Sequence, residues 1–236
     1  MRPFVTVLSQ RAREIDKHLS FVIELHDMAV GRVQSYGRPI DLEHIHILKS
    51  GFLVHLYNVV EAVMSQVLEE IGRDIPKHPS TAWRDEIFAA WVKERTEPVP
   101  TKTPDQRVRE MVKILSELSG RSQMTRLSWK VDRGNWSHKE IENLAKRLSC
   151  NITIPADVFY EACKRNFVDN KPPVEYVRHM RNQLTHGNLS FFEASAALDP
   201  TQLSRLRGAV MGYMVAITGA FSAYLDSAHF LRGQNP

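Results

Sequence analysis

Apolar residues at intervals of three and four positions recur along almost the whole chain, and this spacing restricts the fold more than any other feature. Side chains with that spacing lie on one face of an α-helix. The longest series begins after Asp41, a candidate N-cap, and continues to about Gly72. Its apolar members are Ile45, Leu48, Phe52, Leu56, Val59, Val63 and Val67. A second apolar row, which contains Leu53, Val60, Met64 and Leu68, predicts a central bundle helix that is buried on more than one side.

The same spacing predicts further helices before and after this central one. A turn at 37–39 ends the first of them, Ser137 and Glu140 have the spacing of a capping box, and Asp199 followed by Pro200 predicts the start of the last. The predicted helices cover about 7–30, 81–95, 105–118, 141–148, 156–165, 173–186 and 200–226. The sequence therefore predicts an all-α fold in one domain over residues 1–236, a helical bundle with a helical and loop elaboration at about 73–150.

The composition limits the class of protein without selecting a function. With 236 residues, of which 43% are hydrophobic, the chain can bury a substantial core, and its net charge of +4 permits an anionic partner. The two cysteines, Cys150 and Cys163, lack the spacing of a zinc site or a disulfide framework. Arg11 and Arg13 precede any apolar run of signal-peptide length. We therefore expect a cytoplasmic protein.

One late segment resembles a membrane span, because residues 208–225 contain no charge over 18 positions. Small residues recur there at every fourth position, namely Gly208, Gly212, Ala216 and Ala220. Such a ridge lets another helix approach closely, in lipid or in a protein core. The segment is only moderately apolar, and no second span is expected. A core or dimer-forming helix of a soluble protein without a membrane partner is the favoured interpretation.

The polar stretch VRHMRNQLTHGN (177–188) interrupts this apolar pattern at the end of a predicted helix. Six of its twelve residues are Arg, His or Asn. His179, Asn182 and His186 share one face, whereas Arg181 and His186 lie roughly 140° apart on an ideal helix. The glycine that follows the last histidine predicts the helix end. The alternative to a functional cluster is a solvated helix end whose basic side chains contact the last carbonyl groups.

These side chains suit the cleavage of RNA by its own ribose. An imidazole, with an ordinary pKa near 6.5, can accept the proton of the 2′-hydroxyl or donate one to the leaving 5′-oxygen, which contributes about 10²- to 10⁴-fold in rate. A guanidinium such as that of Arg178 or Arg181 can hold the phosphate and offset its developing charge. The reaction needs both an acid and a base, so a second copy of the chain would supply the other histidine.

The central helix carries one isolated charged residue that is a further candidate for the site. Between residues 50 and 68, Glu61 is the only charged residue when histidine is counted as neutral, and Tyr57 lies one turn before it. A carboxylate on such an apolar helix needs a partner. We expect Glu61 to pair with Arg181 or Arg178 and to orient the polar cluster from behind. An ordinary structural ion pair is the alternative.

The combination resembles the HEPN domains, the superfamily of higher eukaryotic and prokaryotic nucleotide-binding proteins. Arg181 and His186 match their R-x4-H motif, and the stretches LYNVVEA, MRNQLTHGN and SWKVDRGNWSHKEIENLAKRL resemble a prokaryotic subgroup of HEPN-like nucleases over about 40–226. The resemblance implies a HEPN-type helical bundle, usually a homodimer, with metal-independent endoribonuclease activity in a composite cleft. Many relatives act as toxins paired with an antitoxin protein, or in phage defence.

The resemblance also assigns roles to residues of this sequence. Arg181 and His186 correspond to the catalytic pair, Asn182 to the polar residue after the motif arginine, and Glu61 to the supporting acidic residue. The complete predicted site contains catalytic Arg181, His186, Asn182 and Glu61, and substrate-binding Arg178, Tyr57 and His179. No cofactor and no metal are expected. Because some HEPN domains lack nuclease activity, the alternative is a non-catalytic interaction or nucleotide-binding module that dimerises through the helix at 208–225.

Two other features receive less weight. Residues 119–136 alternate basic and aromatic side chains, including Trp129 and Trp136, and such a segment can bind single-stranded RNA. A loop whose tryptophans anchor it to the bundle is the favoured interpretation. His44 and His46 point roughly 200° apart on a helix, so we expect no metal site there.

Overall fold

Long helices dominate the computed structural model, which describes residues 1–31, 41–96, 103–121 and 135–233. Within these ranges the chain forms nine α-helices and no β-strand, which confirms the all-α prediction. The helices are α1 (Pro3–Val30), α2 (Leu42–Asp74), α3 (Asp85–Thr96), α4 (Pro104–Leu118), α5 (His138–Arg147), α6 (Ala156–Phe159), α7 (Pro173–Thr185), α8 (Phe191–Ser195) and α9 (Pro200–Asp226). The predicted turn at 37–39 and Trp129 lie outside the described residues.

Local sequence signals explain several helix boundaries. Asp41 caps α2, because its carboxylate accepts a hydrogen bond from the backbone N–H of Glu43 at 3.0 Å. The Ser137 hydroxyl accepts one from the backbone N–H of Glu140 at 3.2 Å, at the predicted start of α5. α1 begins earlier than predicted, because Pro3 occupies its first turn. Side-chain caps therefore fix the starts of α2, the central helix, and of α5, which lies within the elaboration.

Two short elements differ from the prediction. α3 begins at Asp85, because Ser80–Ala82 before it forms a 3-10 turn. α8 was not predicted at all, since five residues are too few to show a helical period. A π-helical turn, Tyr160–Lys164, continues α6. The long helices were therefore predicted more accurately than the short ones.

α2 is the central helix, as predicted. It packs against α1, α7, α8 and α9. Both predicted apolar rows are buried except for Leu48, which is partly buried against the core. Burial of each such side chain contributes about 1.5–3 kcal/mol relative to exposure. This packing makes α2 the scaffold against which the other helices are positioned.

α9 buries its bulky side chains and leaves its small-residue ridge largely uncovered. A Cβ added at Gly208 would meet nothing within 4 Å, and at Gly212 it would meet only Val158 Cγ1, at 4.0 Å. Phe221 and Ile217, on other faces, are fully buried. Within the described chain, the ridge is therefore not the site of a tight helix-helix contact.

Among the described residues, two helices, not one, reach the length and hydropathy of a membrane span. They are Leu42–Lys77, with 56% of its most apolar window buried, and Pro200–Asp226, with 50% buried. The expectation that no second segment would qualify was wrong, because the nearly charge-free stretch of α2 around Glu61 passes the same test. Length and composition alone do not distinguish a core helix from a span.

Partly buried histidines make the stability of the fold depend on pH. Burial lowers the pKa of five imidazoles, those of His18, His46, His55, His138 and His179. His18 Nδ1 lies 3.1 Å from His55 Nδ1, and the charge of His55 lowers the pKa of His18 further. A histidine with a lowered pKa binds fewer protons in the folded than in the unfolded chain, so acidification favours unfolding.

We therefore expect the melting temperature to be highest above about pH 7 and to fall as the pH decreases through and below about 6.5, the ordinary histidine pKa. Thermal melts followed by circular dichroism at constant ionic strength would measure this trend. His18→Gln should reduce its slope, whereas His44→Gln, at an exposed position on α2, should not. Equal melting temperatures at about pH 7.5 and 5.5 would contradict the assignment.

Candidate active site on α2 and α7

α7 places the polar stretch over the middle of α2. A proline at its first helical position starts the helix, and the apolar side chains of Val177, Met180 and Leu184 are buried. These three residues occupy the face that α7 turns toward the core. Arg181 follows Met180 and is therefore carried to the edge of the α2–α7 contact.

Arg181 meets the acidic and aromatic residues of α2. Its Nη2 donates a hydrogen bond to Glu61 Oε2 at 3.4 Å, and its Nη1 donates one to Asn182 Oδ1 at 3.1 Å. The guanidinium carbon lies 5.1 Å from the centroid of the Tyr57 ring, within range of a cation–π interaction. The side chains of Arg181 and Glu61 are 23% and 30% exposed. The structure thus confirms the pairing of Glu61 with Arg181.

Tyr57 supports this arrangement from inside the protein. It is 1% exposed, and its hydroxyl accepts a hydrogen bond from the backbone N–H of Trp136 at 2.8 Å. Burial raises the pKa of its phenol. The prediction that Tyr57 contacts RNA was wrong, because neither its ring nor its hydroxyl is available at the surface. Trp136 is also 1% exposed, which confirms its predicted role as an anchor of the loop before α5.

Asn135 contacts Arg178 and Asn182 of α7 and was absent from the predicted site. Its Oδ1 accepts a hydrogen bond from Arg178 Nη1 and another, at 3.5 Å, from Asn182 Nδ2. Arg178 Nε also donates to Glu175 Oε2 at 3.2 Å, and this carboxylate raises the pKa of Arg178. Arg178 therefore pairs with Glu175 and not with Glu61. Only its neighbour, the anchoring Trp136, could have drawn attention to Asn135.

His179 lies one turn before Asn182, as predicted from the helical period, and is partly buried. Burial lowers the pKa of His179, and the positive charges of Lys171 and Arg178 lower it further. These effects favour the neutral imidazole, which can accept or donate a hydrogen bond. Its prediction as a substrate-binding residue stays a prediction.

α7 ends in a Schellman motif immediately after the histidine of the R-x4-H spacing. The backbone N–H of Gly187 donates to the Leu184 carbonyl at 3.2 Å, and that of Asn188 donates to the Gln183 carbonyl at 2.9 Å. Gly187 has a φ of +69°, which confirms it as the helix stop. His186 occupies the C-cap and is exposed.

Arg181 and His186 consequently occupy different environments within one chain. The guanidinium of Arg181 faces Glu61 and Tyr57, whereas the imidazole of His186 is at the exposed helix end. This agrees with the angular separation expected for residues five positions apart. A single subunit therefore presents one oriented cation and one solvent-exposed imidazole, at neighbouring positions but on different sides of α7.

A family model described as HEPN_MAE_28990/-like HEPN matches residues 5–230. The chain belongs to the HEPN superfamily. The matched region extends from α1 to the turn after α9 and includes both the Glu61 segment and the R-x4-H motif. No curated protein and no solved structure matches the chain.

The HEPN motif is followed by a second surface that the sequence did not reveal. Ser190 and Glu193 form a capping box at the start of α8, and Ser50 Oγ donates to the Phe191 carbonyl, which fixes α8 to α2. Phe191 and Phe192 remain 43% and 48% exposed. Two exposed aromatic side chains therefore lie within six residues of the motif histidine.

A solvent-open cavity of about 340 Å³ borders Glu61. Arg11 of α1 and His55, Asn58 and Ala62 of α2 contribute to its walls. Glu61 therefore both contacts Arg181 and lines an open cavity. A carboxylate in this position can orient Arg181 while remaining in contact with solvent.

Proposed function

We propose that this protein is a metal-independent endoribonuclease that cleaves RNA by attack of the ribose 2′-hydroxyl. The observation that supports the proposal most directly is that one chain presents both an exposed motif histidine and a motif arginine that is held in place. His186 is accessible to a large substrate, and Arg181 is held by Glu61 and the Tyr57 ring. HEPN membership supports an RNA-related or nuclease-like role.

In this mechanism the 2′-oxygen forms a bond to the adjacent phosphorus and the bond from phosphorus to the 5′-oxygen breaks. One imidazole accepts the 2′-hydroxyl proton, and a second imidazole donates a proton to the leaving 5′-oxygen. Arg181 binds a phosphate oxygen and offsets the charge that develops in the transition state. Asn182 supplies an amide beside the guanidinium. The products carry a 2′,3′-cyclic phosphate and a 5′-hydroxyl.

The second imidazole requires a second copy of the chain. One subunit presents a single exposed motif histidine, so we propose a homodimer in which two copies of α7 meet across a two-fold axis. His186 of each copy then serves one composite cleft, one as base and the other as acid. We place the enzyme in the cytoplasm, as the toxin of a pair with an antitoxin protein or as a component of phage defence.

Product chemistry tests the proposal. Purified protein in excess EDTA should cut a single-stranded RNA and leave 2′,3′-cyclic phosphate ends, identified by mass spectrometry. The matched control is the same RNA with one 2′-deoxynucleotide at the mapped cleavage position, which should resist cutting there only. Cutting of the deoxy-substituted position, or 5′-phosphate products, would contradict attack by the 2′-hydroxyl.

The second candidate is a non-catalytic HEPN interaction module. It is favoured by the separate environments of Arg181 and His186 in one chain and by the small-residue ridge of α9, which the described chain leaves uncovered. Sedimentation equilibrium tests the composite cleft, because a strict monomer offers only one exposed motif imidazole per molecule and excludes that cleft. A dimer is compatible with both candidates, and RNA cleavage in EDTA then discriminates between them.

A further inference from the structure

The solvent-open cavity that Glu61 borders lies on a strip of α2 between α7 and α1. Around the axis of an ideal helix, five side chains on this side of α2 follow one another at about 0°, 40°, 100°, 140° and 160°. In that order they are Tyr57, Glu61, Asn58, Ala62 and His55. Arg181 of α7 contacts the first two, and His18 of α1 lies 3.1 Å from the last, measured between the two Nδ1 atoms. Asn58 and Ala62 therefore face the space between the two neighbouring helices.

This opening, which we call the Asn58 cavity, combines apolar lining with groups that form hydrogen bonds. The residues that line it are Arg11, His55, Asn58, Val59, Glu61 and Ala62. The exposed amide of Asn58 makes no hydrogen bond within the described ranges, so its oxygen and its two N–H groups are available to a ligand. The volume of about 340 Å³ lies at the lower end of the roughly 300–1,000 Å³ typical of ligand pockets. The cavity therefore suits a small flat group that forms hydrogen bonds along its edge.

The charges around the Asn58 cavity balance, which disfavours an isolated ion as its ligand. Arg11 Nη1 lies 2.7 Å from Glu14 Oε2, and Arg181 Nη2 lies 3.4 Å from Glu61 Oε2. Burial lowers the pKa of His55, which favours its neutral imidazole. Two guanidinium groups are thus matched by two carboxylates. The ligand that fits such a lining is polar and uncharged.

We propose that the Asn58 cavity binds a base of the RNA, next to the phosphate that Arg181 holds. The base carries an exocyclic amino group beside a ring nitrogen, the pattern of adenine and cytosine. This inference rests on the proposed ribonuclease function, because Glu61 both lines the cavity and contacts the motif arginine. Proteins read single-stranded RNA by splaying out its bases, which then stack on aromatic rings or arginine planes and form hydrogen bonds along their edges. Arg11 lines the cavity and is exposed, so its guanidinium can lie against the base.

Asn58 and Glu61 together select the amino group. They are three residues apart on α2 and are therefore neighbours on its surface. The Asn58 oxygen can accept one amino hydrogen while the amide N–H donates to the ring nitrogen, as in the two-bonded contact of asparagine with adenine. The Glu61 carboxylate only accepts hydrogen bonds, so it favours a second amino hydrogen and repels a carbonyl oxygen in the same place. Uracil and hypoxanthine carry that oxygen and should bind less tightly.

Binding of short RNAs to a variant that lacks the motif histidine, His186→Ala, tests the proposal. The probe is a fluorescent five-nucleotide RNA with one central adenosine between uridines. The matched probe has inosine at the centre, which replaces the amino group by an oxygen and keeps the size of the purine. We expect the adenosine RNA to bind about tenfold more tightly in fluorescence anisotropy, a usual discrimination for one two-bonded contact with a base.

Further substitutions in the same protein localise the contact. Asn58→Ala should reduce the preference for adenosine to less than about twofold, because the two-bonded contact is lost. Asn143→Ala makes the same change at an exposed position within α5 and should keep the tenfold preference. Arg11→Ala should weaken the binding of both RNAs alike, because stacking does not depend on the identity of the base. Circular dichroism melts verify that every variant is folded.

Four results would overturn the proposal. They are binding of neither RNA, equal binding of both, a preference for adenosine that survives Asn58→Ala, and adenosine monophosphate that binds as tightly as the RNA. In the last case a free nucleotide, and not a base of RNA, would occupy the cavity.

Cleavage in EDTA separates this proposal from the nuclease proposal. If the native protein cuts RNA but the two probes bind equally, the nuclease stands and the base contact is rejected. If the preference for adenosine depends on Asn58 but the native protein does not cut, the base contact is supported and the nuclease is rejected.

Discussion

Replacement of His186 by alanine should reduce RNA cleavage by about 10²- to 10⁴-fold, the usual contribution of a general acid or base. The side chain is exposed at the C-cap of α7, and its imidazole makes no hydrogen bond within the part of the chain that the structure describes. The substitution should therefore leave the melting temperature nearly unchanged. Single-turnover cleavage of a labelled RNA, together with a thermal melt, measures both quantities.

The matched control is His44→Ala, which removes an exposed imidazole at the start of α2. It should cleave at the rate of the unmodified protein. Equal cleavage rates for His186→Ala and His44→Ala would show that His186 takes no part in catalysis. The assignment of the chain to the HEPN superfamily would still stand.

Mixing the two forms of the protein tests whether one cleft uses both copies of His186. If each cleft needs two imidazoles, an equal mixture of exchanging native and His186→Ala subunits should show about one quarter of the native activity, since only native homodimers are complete. Independent sites would show about half. A mixture with about half of the native activity would argue for catalysis within a single subunit.

The sequence predicted the parts of this site that helical periodicity determines. Glu61 stands alone as a charge on an apolar helix, and a partly buried carboxylate needs a cation, so its pairing with an arginine of the 177–188 stretch followed from residue type alone. Gly187 was recognisable as the helix stop because a left-handed C′ position favours glycine. The angular separation of Arg181 and His186 likewise followed from the geometry of a helix.

The remaining contacts of the site involve segments in which apolar residues do not recur at helical spacing. Asn135 reaches Arg178 and Asn182 across more than forty residues of sequence, and it lies before α5 in a stretch with no apolar repeat. The burial of Tyr57 follows from the return of Trp136 to α2, which a local pattern cannot reveal. α8 has only five residues, and its place against α2 depends on contacts with Ser50 and His46, which are distant in sequence.

Replacement of Arg181 by alanine should lower the cleavage rate by about 10²- to 10³-fold, the usual effect of removing one group that stabilises transition-state charge. It also removes the ion pair to Glu61 and the contact with the Tyr57 ring. A partly exposed pair and a cation–π contact each contribute up to about 1 kcal/mol, so the melting temperature should fall by a few degrees. Arg181→Lys should recover part of the activity only, because an ammonium keeps the charge but cannot make the two-pronged contact of a guanidinium.

A variant that binds RNA without cutting it allows binding to be measured separately from cleavage. In the His186→Ala protein, a further Arg181→Ala substitution should weaken RNA binding and reduce the slope of log affinity against log salt by about one, as expected for the loss of one phosphate contact. Arg207→Ala is the matched control, because Arg207 is similarly exposed and its Nη2 lies 2.7 Å from Asp16 Oδ1. If both arginine variants lowered the melting temperature alike but neither changed the salt slope, Arg181 would be a structural partner of Glu61 and not a ligand of the phosphate. The ion pair of Arg181 with Glu61 is compatible with either role, and the salt slope distinguishes them because only a phosphate contact releases a counterion.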